Sequence, residues 1–564
     1  MSFVLDAYAA RSCPLKTVNA FSPHVDPPLT ERADPPFFRD ADAIEASVFG
    51  AILAGRGTIV DLRPQRAVGG TEWAQASLEA MASGADTIIA PVLPRDDAHH
   101  RAGRPSLLVR ARDGDGYHPV QLKFHRVMES CPPDAEPLLV SRLHAPRSPR
   151  HASGRQFRWA TRLNAALQVA HYWRMLQACG YAAPLPWAGL IGVDRLNTAP
   201  SGRRAKVEPV IAWLDLDQPR VPPNPRTVPV PAEAAPISAL ARYDAEHRYR
   251  VDIARAARAG IPPQTLITPV ISAECRGCVW QQHCQAQLDP DDLSLRITKA
   301  PLDVHELRAL REFGITTVAQ LAASDLPSLT ERFLRRTSHR DGGEVRLQRA
   351  HHRARLLSAG IEVERQTTGP LHLPQHDLEV DIDIETSASD RLYLWGFRVH
   401  DRTRGESFTR QFGAFTDLDA AGEAALAVEA LRWLRGLVDG RDAAAYHYSD
   451  YETIRLARLA PKLGELGTWA TTWASAHFVD LFPMMRAHFF GANGLGLKAV
   501  VTAVTGFAWR DEDPGGLNSL SWFAEAVGDP DPEARARARV RVLEYNEDDV
   551  LATWHLRRWL RSLT

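Results

Sequence analysis

Along residues 119–126, PVQLKFHR, apolar Val120 and Leu122 alternate with polar Gln121 and Lys123. That two-residue period predicts a strand with one buried face. Residues 157–181, FRWATRLNAALQVAHYWRMLQACGY, carry the longer period of a helix. Seven prolines between Pro219 and Pro236 make that stretch too proline-rich for regular structure, so it reads as a loop. LDVHELRALREFGITTVAQLAASD predicts two short helices joined at Gly314, with Leu307, Leu310 and Phe313 as an apolar stripe. Beyond it DLEVDIDIE and LYLWGFRV read as a pair of strands, AAAYHYS and AHFVDLF as later strands, and VRVLEYNEDDVLATWHLRRWL as a closing helix. The pattern divides the chain into an α/β region over 1–290, a small helical segment over 291–368 and a second α/β region over 369–564.

A chain of 564 residues has room for three or four domains of roughly 150 residues each. Lys and Arg together number 67 against 68 acidic residues, so net charge gives no sign of a polyanion partner, and any nucleic-acid surface must come from local clustering. Arg332, Arg335, Arg336, Arg340, Arg346, Arg349, Arg353 and Arg355 supply such a cluster, opposed within that span by Asp341 and Glu344. It suits phosphate contacts without sequence preference. No apolar run approaches the ~20 residues that span a bilayer, and the start MSFVLDAYAARSCPLK lacks the features of a signal peptide. The expectation is a soluble, cytoplasmic protein without membrane partners.

Two groups of residues carry candidate chemistry. Cys275, Cys278 and Cys284 form C-x2-C-x5-C, a spacing that suits zinc or an iron–sulfur cluster. Cys13, in the polar stretch ARSCPLK, is a better fourth ligand than Cys131 or Cys179. Asp383 and Glu385 lie two apart on one strand and so share a face. Tyr545 and Asp549, at i and i+4, share a helix face. Glu452 follows a strand and opens a helix. Acids on a strand that reads as buried point to a bound cation. Asp450 and Asp548 are rivals of Glu452 and Asp549, Asp480 reads as structural, and Asp113 and Asp115 as solvated turn acids.

Beside this reading stands a resemblance. One N-terminal cysteine followed far downstream by C-x2-C-x5-C resembles the staple of RecB-like nucleases, which implies a [4Fe–4S] cluster on Cys13, Cys275, Cys278 and Cys284, with zinc the alternative. Those nucleases belong to the PD-(D/E)XK superfamily. Against its motifs Glu45 matches the helical glutamate, Lys123 the lysine, and Gln168 with Tyr172 the Q-x-x-x-Y helix. Ser106 and Gln121 stand where metal-binding acids belong, so this domain is expected to have lost cleavage and to grip a strand through Lys123, Gln168 and Tyr172.

D-x-E, then a junction acid, then Y-x3-D is similar to the DEDDy branch of the ribonuclease-H-like 3′–5′ exonucleases. That likeness implies Asp383, Glu385, Glu452 and Asp549 as ligands of two Mg²⁺ or Mn²⁺ ions, with Tyr545 orienting the water. Glu452 departs from the usual aspartate. Lys498 is expected to line the substrate groove, with Arg335, Arg336 and Arg340 on the basic linker. The paired helices around Gly314 resemble a helix-hairpin-helix. The whole order resembles the bacterial RecB-like putative nucleases, which implies a 3′–5′ exonuclease on single-stranded nucleic acid, DNA in the first instance, with a helicase as a possible partner. The alternatives are a dual nuclease with both domains active, and a non-catalytic nucleic-acid-binding or redox-responsive adaptor.

Overall fold

The computed structural model describes residues 2–26, 41–112, 114–197, 207–222, 235–337 and 341–563. The chain forms two compact units. The first comprises Met1–Leu295, Leu302–Ile315 and Asp325–Val345, and the second Arg296–Pro301, Thr316–Ser324 and Arg346–Thr564. The 291–368 segment thus contributes to both. Among the described residues no helix is long and apolar enough to cross a membrane.

The first unit is built on an eight-stranded mixed sheet. Its strands are β1 (Ile59–Asp61), β2 (Thr87–Ile89), β3 (Leu107–Arg110), β4 (Tyr117–Leu122), β5 (Leu138–Arg142), β6 (Arg150–Ala152), β7 (Trp187–Asn197) and β8 (Val207–Asp215), in the order β1-β2-β3-β4-β7-β8-β5-β6. β3 and β4 pair antiparallel, and β4 runs parallel to β7. The connection between those two carries α1 (Trp159–Ala178), which packs against β4. Val120 and Leu122 are buried, as their alternation predicts, and the strand stops one residue short of Lys123. Tyr172, Met175 and Leu176 of α1 join one buried cluster, while Leu167, Val169 and Trp173 join another. A helix buried on both sides also takes polar residues inside, here Gln168 and His171. In the proline-rich loop, Pro219–Val221 pairs as a short strand with Ile237–Ser238, and residues 223–234 lie outside the described ones.

The second unit holds a five-stranded sheet of β9 (Leu378–Thr386), β10 (Leu392–Asp401), β11 (Glu406–Gly413), β12 (Ala443–His447) and β13 (Phe478–Asp480), in the order β11-β10-β9-β12-β13. β9, β10 and β11 are antiparallel neighbours, and β12 and β13 continue parallel to β9. β9 is central, and its sequence LEVDIDIET shows what covers each face. Leu378, Val380, Ile382 and Ile384 pack with Leu426 and Leu431 of α2 (Ala420–Val438). The alternate residues Glu379, Asp381, Asp383 and Glu385 point the other way, toward the closing helix α6 (Pro532–Ser562), reached after α3 (Tyr451–Leu459), α4 (Leu497–Thr505) and α5 (Gly516–Gly528).

Four acids on one buried face require partners, and the two ends of the strand differ. Arg557 donates Nε and Nη2 to both oxygens of Asp381 at 3.0 and 2.8 Å, and it also bonds Glu379, as does Arg561. This forked pairing neutralises one end. Removing such a partner would strand buried charge, at a cost of about 3–5 kcal/mol. Asp383 and Glu385, at the other end, have no arginine among the described residues.

Candidate active site

β9 delivers Asp383 and Glu385 together, and α6 delivers Asp549 opposite them. One ligand atom from each lies within 4.8 Å of the other two, the one such group of metal-type ligands among the described residues. Each carboxylate has one oxygen tied from outside. Asn546 Nδ2 donates to Asp383 Oδ2 at 2.7 Å, Ser519 Oγ to Glu385 Oε2 at 2.9 Å, and Trp509 Nε1 to Asp549 Oδ1 at 2.7 Å. Among the described residues no donor reaches Asp383 Oδ1, Glu385 Oε1 or Asp549 Oδ2. One oxygen orients each group and the other is left for a ligand.

The electrostatics follow from that crowding. Burial, then the charge of Asp549, hold the Asp383 carboxyl well above its ordinary range, and the same two causes push Glu385 up to about 8. Carboxylates that repel one another in a low-dielectric site favour protons or cations there. Hard oxygen donors in this number suit Mg²⁺ or Mn²⁺.

Glu452 opens α3 at a sharp strand-to-helix turn, where Ser449 adopts φ of +86°. It is buried near the cluster but does not join the group of three. The sequence already sets Glu452 apart, as a glutamate where the resemblance has aspartate. His447 Nδ1 donates to the Ser449 carbonyl at 2.6 Å and stands 3.4 Å from Glu452 Oε2, and among the described residues no closer donor reaches that buried oxygen. Such an orphaned acceptor fits a site that takes a cation. The rivals fall away: Asp450 is exposed, and Asp548 accepts from Arg510 N and Nε at 2.9 Å. Asp480 caps a helix through Phe482 N, the structural role expected of it.

Tyr545 lies beside Asp549. Lys498 Nζ donates to Tyr545 Oη at 3.0 Å and to Asp549 Oδ1 at 3.1 Å, so its ammonium is engaged inside the cluster rather than lining an open groove. Ser519, Asn546 and Trp509 escape a motif search. One signal for Asn546 is legible: Gly396, inside strand β10, has no room for a side chain, because a Cβ there would come within 2.1 Å of Asn546 Oδ1. An interior strand glycine marks such close approach.

With this geometry described, the family comparison can be read. Residues 381–561 match the RNase_H superfamily. No curated protein and no solved structure matches the chain. The RNase H-like region starts on β9 and ends on α6, so it contains the carboxylate cluster and every donor around it.

The first unit gathers its residues differently. Lys123 Nζ donates to Gln168 Oε1, and Gln168 Nε2 to Tyr172 Oη at 3.0 Å. All three are buried, which corrects the expectation of groups that reach out to a strand. Burial, then nearby Arg11, push Lys123 down to about 7. Gln121, Gln168 and Tyr172 do line a cleft of about 920 Å³, shared with Tyr8, Trp73 and Arg104. Among the described residues Gln121 Oε1 has no hydrogen-bond partner, and Ser106 Oγ accepts from Leu122 N at 3.1 Å. Glu45 is ion-paired with Arg66 at 2.5 Å. Neither Ser106 nor Gln121 supplies charge for a hard cation.

Cys284 is buried in an apolar cluster against which Cys13 and Cys278 pack. Burial, then the charges of Cys13, Cys278 and Cys275, raise its thiol to about 11. Cys131 and Cys179 do not enter that cluster. Glu274 accepts from Cys13 N at 3.1 Å and from Lys16 Nζ at 2.6 Å, so the N-terminal segment is tied to the loop that bears Cys275.

The arginine cluster is less open than its composition implies. Arg335 pairs with Glu331 at 2.7 Å, Arg336 bonds Glu312, and Arg332 lies over the Phe313 ring. Glu331 and Glu312 thus oppose the cluster from outside the span that holds Asp341 and Glu344. Arg340 and Asp113 lie outside the described residues. Asp115 is exposed, 3.3 Å from Arg110.

Proposed function

We propose that the chain is a metal-dependent 3′–5′ exonuclease on single-stranded nucleic acid, DNA above all, working through its RNase H-like region. The observation that carries this reading is the convergence of Asp383, Glu385 and Asp549, each with one oxygen tied and one free. These three, with Glu452 beside them, would hold two Mg²⁺ or Mn²⁺ ions. Bound there, the ions supply Lewis acidity that neutralises phosphate charge and eases loss of a proton from water. The chain's part is orientation. Asn546, Ser519 and Trp509 fix the carboxylates, and Tyr545 offers its hydroxyl where the attacking water is held.

The first unit, in this reading, is a RecB-like nuclease fold that has lost cleavage and holds the strand in the cleft lined by Trp73, Tyr8 and Arg104. Aromatic faces and a guanidinium suit stacked bases without sequence preference. Its four cysteines would hold a [4Fe–4S] cluster. Zinc on the same four thiolates is the alternative.

The test is a 5′-labelled single strand with Mn²⁺, comparing wild type, Asp383→Ala and Lys123→Ala. A 3′-end ladder lost only in Asp383→Ala is the expected result. Cleavage that survives Asp383→Ala but disappears with Lys123→Ala would move the active site to the first unit.

A further inference from the structure

Lys498 is the one ammonium that touches the carboxylate group among the described residues, and it makes two bonds at once, to Tyr545 Oη and Asp549 Oδ1. Its Nζ also sits 4.9 Å from the Trp509 ring centroid and 4.7 Å from that of Tyr545. Trp509 donates to the same Asp549 oxygen. The head group therefore meets two aromatic faces and two oxygen acceptors while the side chain stays partly exposed, an arrangement that fixes a flexible side chain.

This geometry has a directional consequence. An ammonium only donates, so Tyr545 Oη is the acceptor in its bond to Lys498. The phenol's single proton is left to be donated elsewhere. Likewise, Oδ1 of Asp549 is occupied by Lys498 and Trp509, which leaves Oδ2 for the cluster.

We propose that Lys498 is a positioning residue of the nuclease site, holding Tyr545 as a hydrogen-bond donor and Asp549 with Oδ2 toward its fellow carboxylates. This rests on the nuclease reading above. It assigns Lys498 no contact with substrate; its effect passes through Tyr545 and Asp549. A solvated lysine that meets phosphates would act on substrate binding, whereas one that sets a phenol acts on turnover.

The experiment uses the full chain with Lys498→Met, Lys498→Arg, Tyr545→Phe and the Tyr545→Phe/Lys498→Met double variant, assayed on the labelled strand with Mn²⁺. Lys498→Met is expected to lower kcat by about 10- to 100-fold, the scale on which groups behind a metal site act, with KM unchanged. Lys498→Arg restores much of that loss. In the Tyr545→Phe background the same substitution costs far less, because its target is gone. A raised KM with kcat intact, or losses that simply multiply, would overturn the proposal.

A second readout is independent of turnover. In protein labelled with ¹³C at tyrosine Cζ, the Tyr545 signal, assigned by its absence in Tyr545→Phe, is expected to move in Lys498→Met. An active wild type with an unmoved signal overturns this inference alone. A wild type that binds Mn²⁺ by calorimetry yet degrades nothing overturns the nuclease reading and this one with it.

Discussion

Two aspartates of the RNase H-like region sit close together on α6 and have opposite lives. Asp548 is bound by Arg510, while Asp549 receives the neutral Trp509 and one lysine, beside the Tyr545 hydroxyl, and no arginine among the described residues. The balance of donors decides which one is left to bind a cation. Trp509→Phe keeps an aromatic face, loses the pyrrole half of the indole and removes one hydrogen bond to Asp549 Oδ1. It is expected to lower kcat by about 10- to 100-fold while circular dichroism and thermal unfolding stay close to wild type; steady-state kinetics on the labelled strand check it. At this scale the sequence is legible where chemistry forces a residue type. Asp383, Glu385 and Asp549 announce themselves as acids at strand and helix spacings. Ser519 and Trp509 do not, because a serine or tryptophan has many uses and only the packing of α5 and the segment after α4 turns these two toward the acids.

At the scale of elements, the site depends on how closely α6 approaches β9 and β10. Gly396 lets Asn546 sit against the sheet, where Gln411 Nε2 holds its amide oxygen at 3.0 Å and so turns its Nδ2 toward Asp383. Gly396→Ala places a methyl within 2.1 Å of that oxygen, and a buried strand cannot yield by that much without moving the helix. The variant is expected to lose roughly 1–3 kcal/mol of stability, read by urea denaturation, and to lose activity beyond what its folded fraction explains. β9 itself is legible from its alternation of apolar and acidic residues. Which acids are structural is not, since Arg557 and Arg561 lie more than 170 residues away in the chain and reach Asp381 and Glu379 only once α6 has docked. α1 is legible as a helix, but its burial on two sides is not, because periodicity cannot separate a second buried face from a solvated one.

For the whole molecule, the two units should answer pH in opposite senses. In the first, burial holds His171 near 3 and His247 near 4. Both bind protons near 6.5 when unfolded, so their contribution is present above that pH and is lost as pH falls from about 6.5 toward 4. In the second unit, Glu385 is raised to about 8. A carboxyl raised on folding stabilises below its unfolded value of about 4.3, and that contribution is lost as pH climbs through 8. Hydrogen exchange separates the two, with peptides from α1 losing protection on acidification and peptides from β9 losing it in EDTA as pH rises. Glu385→Gln removes the titrating group while keeping the bond from Ser519 possible. In EDTA at pH 8 it is expected to be more stable than wild type, by roughly 2 kcal/mol once the coupled acids relax. Mn²⁺ at a hundred times its dissociation constant should reverse the order, since it adds about 2.7 kcal/mol to the chain that binds it. Equal stability of the two proteins in EDTA would mean that the cluster carries no stored repulsion, and the argument for a cation at Asp383, Glu385 and Asp549 would lose its electrostatic half.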